Sequence, residues 1–291
     1  MGKYLRMASL MTAVLLVGTM AGCQADTPME VTAKDVLQEP EAVRIMSFNI
    51  RCGEYASRKS LVPRLILEYA PDSVGVQECT YQWYKRLTDT LTGYGFVGVG
   101  RDTGGVQFDC GEISGIFYRL DKYKVVDSGT FWLSETPEKV SYGWDAGCRR
   151  VCTWAVLEHL ETGAQYAHVN THLDHKGLTA RTESTKLVGN HVLMFEMPTV
   201  LTGDFNYERD TAQYQHLLEL GLRDTQTLAE NTMEGKTFHA YNGGEQGLPI
   251  DFIFVNERVE RVLTYRIIRD RYEEQYPSDH YPIYADVIFG Q

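Results

Sequence analysis

The run VCTWAVLEHLETGAQYAHVNTHL, residues 151–173, is followed by a helical stretch over Thr179–Phe195 and then by TVLTGDFN, residues 199–206. β-Branched and aromatic residues flank Glu161-Thr162-Gly163 in the first run, the composition of a hairpin with a glycine turn. TVLTGDFN reads as a buried strand. A hairpin, a crossover helix and a buried strand in one run predict a mixed sheet with a helix against its outer face.

The same alternation extends in both directions. Upstream, VRIMSFNIR (43–51) and SVGVQE (73–78) read as strands, with helices over Lys59–Tyr69 and Tyr81–Leu91. ISGIFYRLDKYKVVDSGTFWL (113–133) reads as another hairpin. Downstream, Ala212–Leu220 is helical in pattern, and PIDFIFV (249–255) and YPIYADVIF (281–289) are late strands. The chain is therefore expected to be of the α/β (α+β) class, with packed mixed sheets flanked by helices in one domain over residues 43–291.

Residues 1–22 stand outside that pattern. Lys3 and Arg6 precede the apolar stretch Leu10–Met20, and Ala21-Gly22 lead to Cys23, the layout of a bacterial lipoprotein signal with Cys23 as the lipidated residue. The apolar stretch is too short to span a membrane. Residues 23–42, polar and carrying Pro28 and Pro40, are expected to be a flexible tether. This layout predicts a lipid-anchored protein of the cell envelope. The remaining five cysteines show no zinc spacing and are expected to be buried thiols.

With 28 Lys+Arg against 39 Asp+Glu, the net charge of −11 argues against gripping nucleic acid through a basic surface. A small anionic substrate and a monomer are the expectation. Polar residues gather at the ends of the apolar strands: Asn49, Glu78, Asn170 and His172, Asp204 and Asn206, Asp251, and Asp279-His280. Hard oxygen donors, amides and imidazoles without a serine or cysteine elbow suit metal-assisted transfer of a phosphoryl group to water.

SFNIR (47–51), VQE (76–78), VNTHLDH (169–175), LTGDFN (201–206), IDFIFV (250–255) and SDHYPI (278–283) occur in that order. Together they resemble the endonuclease/exonuclease/phosphatase family, the deoxyribonuclease I-like phosphodiesterases and phosphomonoesterases. The resemblance implies a four-layer α/β/β/α sandwich and a Mg²⁺ ion, or Mn²⁺ in its place, held by Glu78 with Asn49 and Asp279. It implies that Asp204 positions the attacking water and that Asp251 pairs with His280. Asn170, His172, Asn206 and His280 would stabilise charge on the phosphate.

Arg51, Arg149 and Arg150 are candidates for holding a substrate phosphate, and Tyr118 resembles a family tyrosine near it. Pro249-Ile250-Asp251-Phe252 departs from the Trp-Cys-Asp-Arg string of the inositol polyphosphate 5-phosphatases. A phosphorylated metabolite, nucleotide, sugar phosphate or lipid headgroup is the expected substrate. An exported nuclease, a phospholipase C or sphingomyelinase-like enzyme, and a non-catalytic ligand-binding lipoprotein are the alternatives.

Overall fold

Val43–Asn49 (β1) and Ser73–Cys79 (β2) lie parallel, with Ile45 level with Ser73 and Asn49 level with Gln77. Parallel neighbours need a crossover, and Tyr55–Arg58 (α1) and Leu61–Tyr69 (α2) supply it. The computed structural model describes residues 33–35, 37 and 39–290, which belong to one compact unit, Val31–Gln291. The chain continues through Tyr81–Thr90 (α3), Tyr94–Val97 (β3), Ile113–Arg119 (β4), Tyr123–Trp132 (β5), Val151–His159 (β6) and Gln165–His172 (β7). Leu178–Val192 (α4), Thr199–Asp204 (β8), Ala212–Glu219 (α5), Arg223–Asp224 (β9) and Thr225–Leu228 (α6) follow, and then Asp251–Val255 (β10), Val259–Ile267 (β11) and Ile283–Phe289 (β12).

Two six-stranded sheets result, in the orders β11-β12-β1-β2-β4-β3 and β5-β6-β7-β8-β10-β9. Their pairing follows one pattern. Each has a central parallel pair, β1/β2 or β7/β8, with antiparallel partners on both sides. The parallel pairs pack face to face, β1 against β8 and β2 against β7. All four central strands consequently end at the same edge of the sandwich.

Three apolar layers separate four layers of structure, as expected. Ile45, Ile116, Leu157, Tyr166, Val200, Ile253 and Ile283 fill the space between the sheets. Val62, Leu65, Trp83 and Leu87 seat α2 and α3 on the first sheet, while Val188, Val192, Tyr214 and Leu217 seat α4 and α5 on the second. Gly75 lets the sheets approach closely: a Cβ there would collide with Thr202 Oγ1 and the Asn170 amide.

Residues 113–133 do not form the expected hairpin. β4 pairs with β2 and β3, whereas β5 pairs with β6, so the chain changes sheets at Leu120-Asp121-Lys122. Buried Asp72 pins this corner, accepting Lys122 Nζ at 2.7 Å while its carbonyl accepts the Arg119 N–H at 3.0 Å. A polar tripeptide serves a corner between sheets as well as a turn within one.

The signal segment and Cys23 lie outside the described residues. The end of the expected tether is docked on the domain: Lys34 Nζ lies 2.9 Å from Glu68 and 2.7 Å from Asp270, and Asp35 accepts Tyr284 OH at 2.9 Å. Cys79, Cys110 and Cys152 are buried free thiols, while Cys52 and Cys148 are half-buried.

Candidate active site

The common edge of the four central strands carries the site. Asn49 ends β1, Glu78 lies near the end of β2, His172 ends β7 and Asp204 ends β8. β10 is antiparallel, so its first residue, Asp251, sits level with Asp204. Asp279 and His280 enter just before β12. A register shift between Val76 and Cys79 interrupts β2 at this edge. Arg51, Glu78 and Asn206 have φ values of 58°, 59° and 53°, a conformation unfavourable for residues with a Cβ by about 1–2 kcal/mol each. Arg51, Glu78, His172, Asp204, Asn206, Asp279 and His280 line one cavity of about 380 Å³.

Asn49 joins the two sheets at this edge. Its Nδ2 donates to Glu78 Oε1 at 3.1 Å and to Asp204 Oδ2 at 2.9 Å, and its Oδ1 accepts the Arg51 N–H at 3.0 Å. It thereby fixes two carboxylates, one of them the expected metal ligand Glu78. Burial pushes the Glu78 carboxyl upward, but hydrogen bonds from Cys52 and Asn49, with the His280 cation nearby, hold it below its ordinary value. Asp279 lies 3.4 Å from Arg51 Nη1, yet burial, which outweighs His280 and Arg51, keeps its pKa raised.

Asp251 Oδ2 lies 2.9 Å from His280 Nδ1, and His280 Nε2 lies 3.8 Å from Asp204 Oδ2. Burial opposes an imidazolium, but Asp251, Asp204 and Asp279 outweigh it and raise the His280 pKa to about 10. Burial and then the charge of Asp251 push Asp204 up to about 7. His172 is kept neutral by burial and by Arg150 and His280. Asn206 Nδ2 donates to His172 Nε2 at 3.1 Å and to Leu173 O at 3.0 Å, which orients His172 at the cavity. His172 Nδ1 and Asp251 Oδ1 are buried without a partner.

Three expected residues fall elsewhere. Asn170 is buried between the sheets, donating to Val76 O and Gly115 O at 2.9 Å and accepting from Gln77 Nε2 at 2.8 Å and Thr202 Oγ1 at 3.0 Å. Tyr118 is level with Ser73, at the far end of β2 from Glu78. Arg149 pairs with Asp102 at 3.3 Å and stacks on Tyr142 rather than lining the cavity. Arg150 does line it, together with Arg101, Glu112, Cys148 and Phe238, which the sequence did not mark, and with His175 and Ile250, which close and open two of the quoted motifs without being chosen as site residues.

The donor set suits a hard divalent cation. Glu78, Asp204, Asp251 and Asp279 outnumber Arg51 and His280 at this end, a local excess of negative charge in a buried place. Carboxylate oxygens facing a polar cavity are the ligands Mg²⁺ takes.

The sequence profile described as the endonuclease/exonuclease/phosphatase family matches residues 46–280. The chain belongs to this family. Solved structures agree. A family protein from Bacteroides thetaiotaomicron is 32% identical with a TM-score of 0.80, over 86% of this chain and 99% of that one. A mannosyl-6-phosphatase of the same organism is 33% identical with a TM-score of 0.79, over 85% of this chain and all of that one. A family protein from Bacteroides vulgatus is 36% identical with a TM-score of 0.76, over 85% and 99%. No curated protein matches the chain. Members of the family are phosphoesterases and nucleases that typically use divalent metals.

Proposed function

We propose that this chain is a Mg²⁺-dependent phosphoesterase that hydrolyses a small phosphorylated sugar or similar metabolite by direct attack of water. The observation that carries the reading is the placement of the Asp204 carboxyl, its Oδ2 3.4 Å from His172 Nε2 and 3.8 Å from His280 Nε2, with His280 Nδ1 paired to Asp251 at 2.9 Å. Burial and the charge of Asp251 raise the Asp204 pKa from the ordinary carboxylate range toward neutrality. A base works best when its pKa is near the working pH. Asp204 takes the proton of the attacking water, while Asn49 and the Asn206 N–H hold its carboxylate in place. His280, kept cationic by Asp251, donates from Nε2 to the phosphoryl oxygens as charge builds there.

Glu78 and Asp279 would hold Mg²⁺, which supplies charge neutralisation at a phosphoryl oxygen. Arg51 adds positive charge beside Asp279, around the anion. His172 Nδ1, free of protein partners, offers a further donor. No enzyme nucleophile is required. The acidic chain, the cavity size within the range of about 300–1,000 Å³ usual for small-molecule sites, and the mannosyl-6-phosphatase at 33% identity support a small ester over a polymer. The signal-like residues 1–23 support an envelope location with a lipid anchor at Cys23.

Phosphate release from a panel of sugar phosphates, nucleotides and diesters, run in ¹⁸O-labelled water, tests the reading. Mg²⁺-dependent release from sugar monoesters, with a single solvent oxygen in the phosphate, is the expected result. Activity confined to oligonucleotides would replace it with a nuclease.

A further inference from the structure

Beside Glu78, whose carboxylate lies within 4.8 Å of that of Glu112, the cavity wall carries a row of charged side chains whose electrostatics differ from those around Asp204. Arg101 Nη1 lies 2.7 Å from Glu112 Oε2, and Arg150 Nη1 lies 3.9 Å from the same oxygen. Arg150 Nε is 3.7 Å from Asp174, and its Nη2 is 3.1 Å from His175 Nδ1. Two guanidinium groups thus meet two carboxylates, and the row is close to neutral. Asp174 is a firm anion: burial opposes its charge, but N–H groups of Gly177, Gly147 and Lys176 hold its pKa at about 2. A second phosphate would find no excess positive charge here.

The row is also rigid and has capacity to spare. Arg101 and Glu112 stand at the two ends of a closed loop, with the Arg101 N–H on Glu112 O at 3.0 Å and the Asp102 N–H on Cys110 O at 2.9 Å. Arg101 Nε and Arg150 Nε are buried without hydrogen-bond partners, and the Arg150 side chain is only 6% exposed. Phe238, 44% exposed, lines the same cavity with its ring 5.0 Å from that of His280. Fixed donors beside a carboxylate acceptor, with an aromatic face on the same cavity, match a polyhydroxylated ring: hydroxyls exchange hydrogen bonds with the row, and C–H groups pack on the ring.

We infer that Arg101, Glu112 and Arg150, with Phe238, form the subsite that reads the hydroxyl groups of a sugar leaving group. The inference rests on the phosphoesterase reading and names the side chains that recognise the leaving group next to the phosphoryl site. Sites built to bond a substrate hydroxyl discriminate strongly against analogues lacking it.

The test compares mannose 6-phosphate with cyclohexylmethyl phosphate, which keeps the ring and ester but has no hydroxyls. The ratio of their kcat/KM values should fall at least about tenfold in Glu112→Gln and in Arg101→Lys. In the Asp204→Asn protein, mannose 6-phosphate should bind more tightly than inorganic phosphate, and Glu112→Gln should remove that excess. A ratio unchanged within about twofold, or equal affinity for the two ligands in Asp204→Asn, overturns the subsite while leaving phosphate hydrolysis standing. Preference for a sugar bisphosphate also overturns it. A wild-type protein inert to both esters that still binds mannose 6-phosphate through Glu112 would break the phosphoesterase reading and keep the subsite.

Discussion

Ser73, Gln77, His168, Asn170 and Thr202 form a polar seam between the sheets, on the same strands that carry Glu78, His172 and Asp204 at or near their ends. Both rows are buried apart from half-buried Glu78, but they differ in how their polar atoms are used. In the seam, His168 bonds Ser73 Oγ and Thr202 Oγ1, each at 2.8 Å, and the Asn170 amide has four partners. Gln77 Oε1 is its exception. At the strand ends, His172 Nδ1 and Asp251 Oδ1 have no partner, and burial raises the pKa values of Asp204 and Asp279, with the neighbouring Asp251 and Glu78 carboxylates adding to the rise. A polar side chain between sheets is thus structural when its capacity is consumed, and a candidate for chemistry when some remains.

The largest effect that can break this contrast is catalytic. His280→Ala should lower kcat by about a thousandfold, roughly 4 kcal/mol, with the fold intact by circular dichroism. A loss below about tenfold would place the charge stabilisation elsewhere. Asn170→Ala should behave in the opposite way. It removes the hydrogen bonds from Asn170 Nδ2 to Val76 O and Gly115 O in the core and should destabilise by about 2–4 kcal/mol in urea titration. Its kcat should stay within about threefold, and a catalytic loss in folded protein would return Asn170 to the site.

A smaller effect sharpens the seam itself. Burial lowers the His168 pKa to about 3 from an ordinary value of 6.5. The unfolded chain therefore binds the extra proton first. The stability from neutral His168 is complete above about pH 6.5 and is lost as pH falls toward 3, at up to about 1.4 kcal/mol per pH unit. His168→Gln should flatten that slope in unfolding curves taken between pH 6.5 and 4, and an unchanged slope would assign it to other groups.

The contrast also explains what could be read without coordinates. Asn49, Glu78, Asp204, Asp251, Asp279 and His280 were legible because each follows or opens an apolar run, where a charge or amide needs a reason. Asn170 and His172 share a strand face, and periodicity could not say that one lies deep between the sheets and the other at their rim. Arg101, Glu112, His175 and Phe238 come from irregular segments with no period to place them, and only the folded chain brings them to the cavity. The crossing at residues 120–122 was hidden for a related reason, since pairing partners, unlike faces, are set by the whole sheet.

The central claim is that carboxylates left with excess negative charge at the strand ends work with a divalent cation to hydrolyse a phosphate ester. Phosphate release from mannose 6-phosphate by the purified chain, followed with Mg²⁺, after EDTA, and after Mg²⁺ is restored, tests it beside Asp204→Asn. The account predicts release that EDTA abolishes, that Mg²⁺ restores, and that the variant lacks under every condition. Release that persists in EDTA and in Asp204→Asn would contradict it.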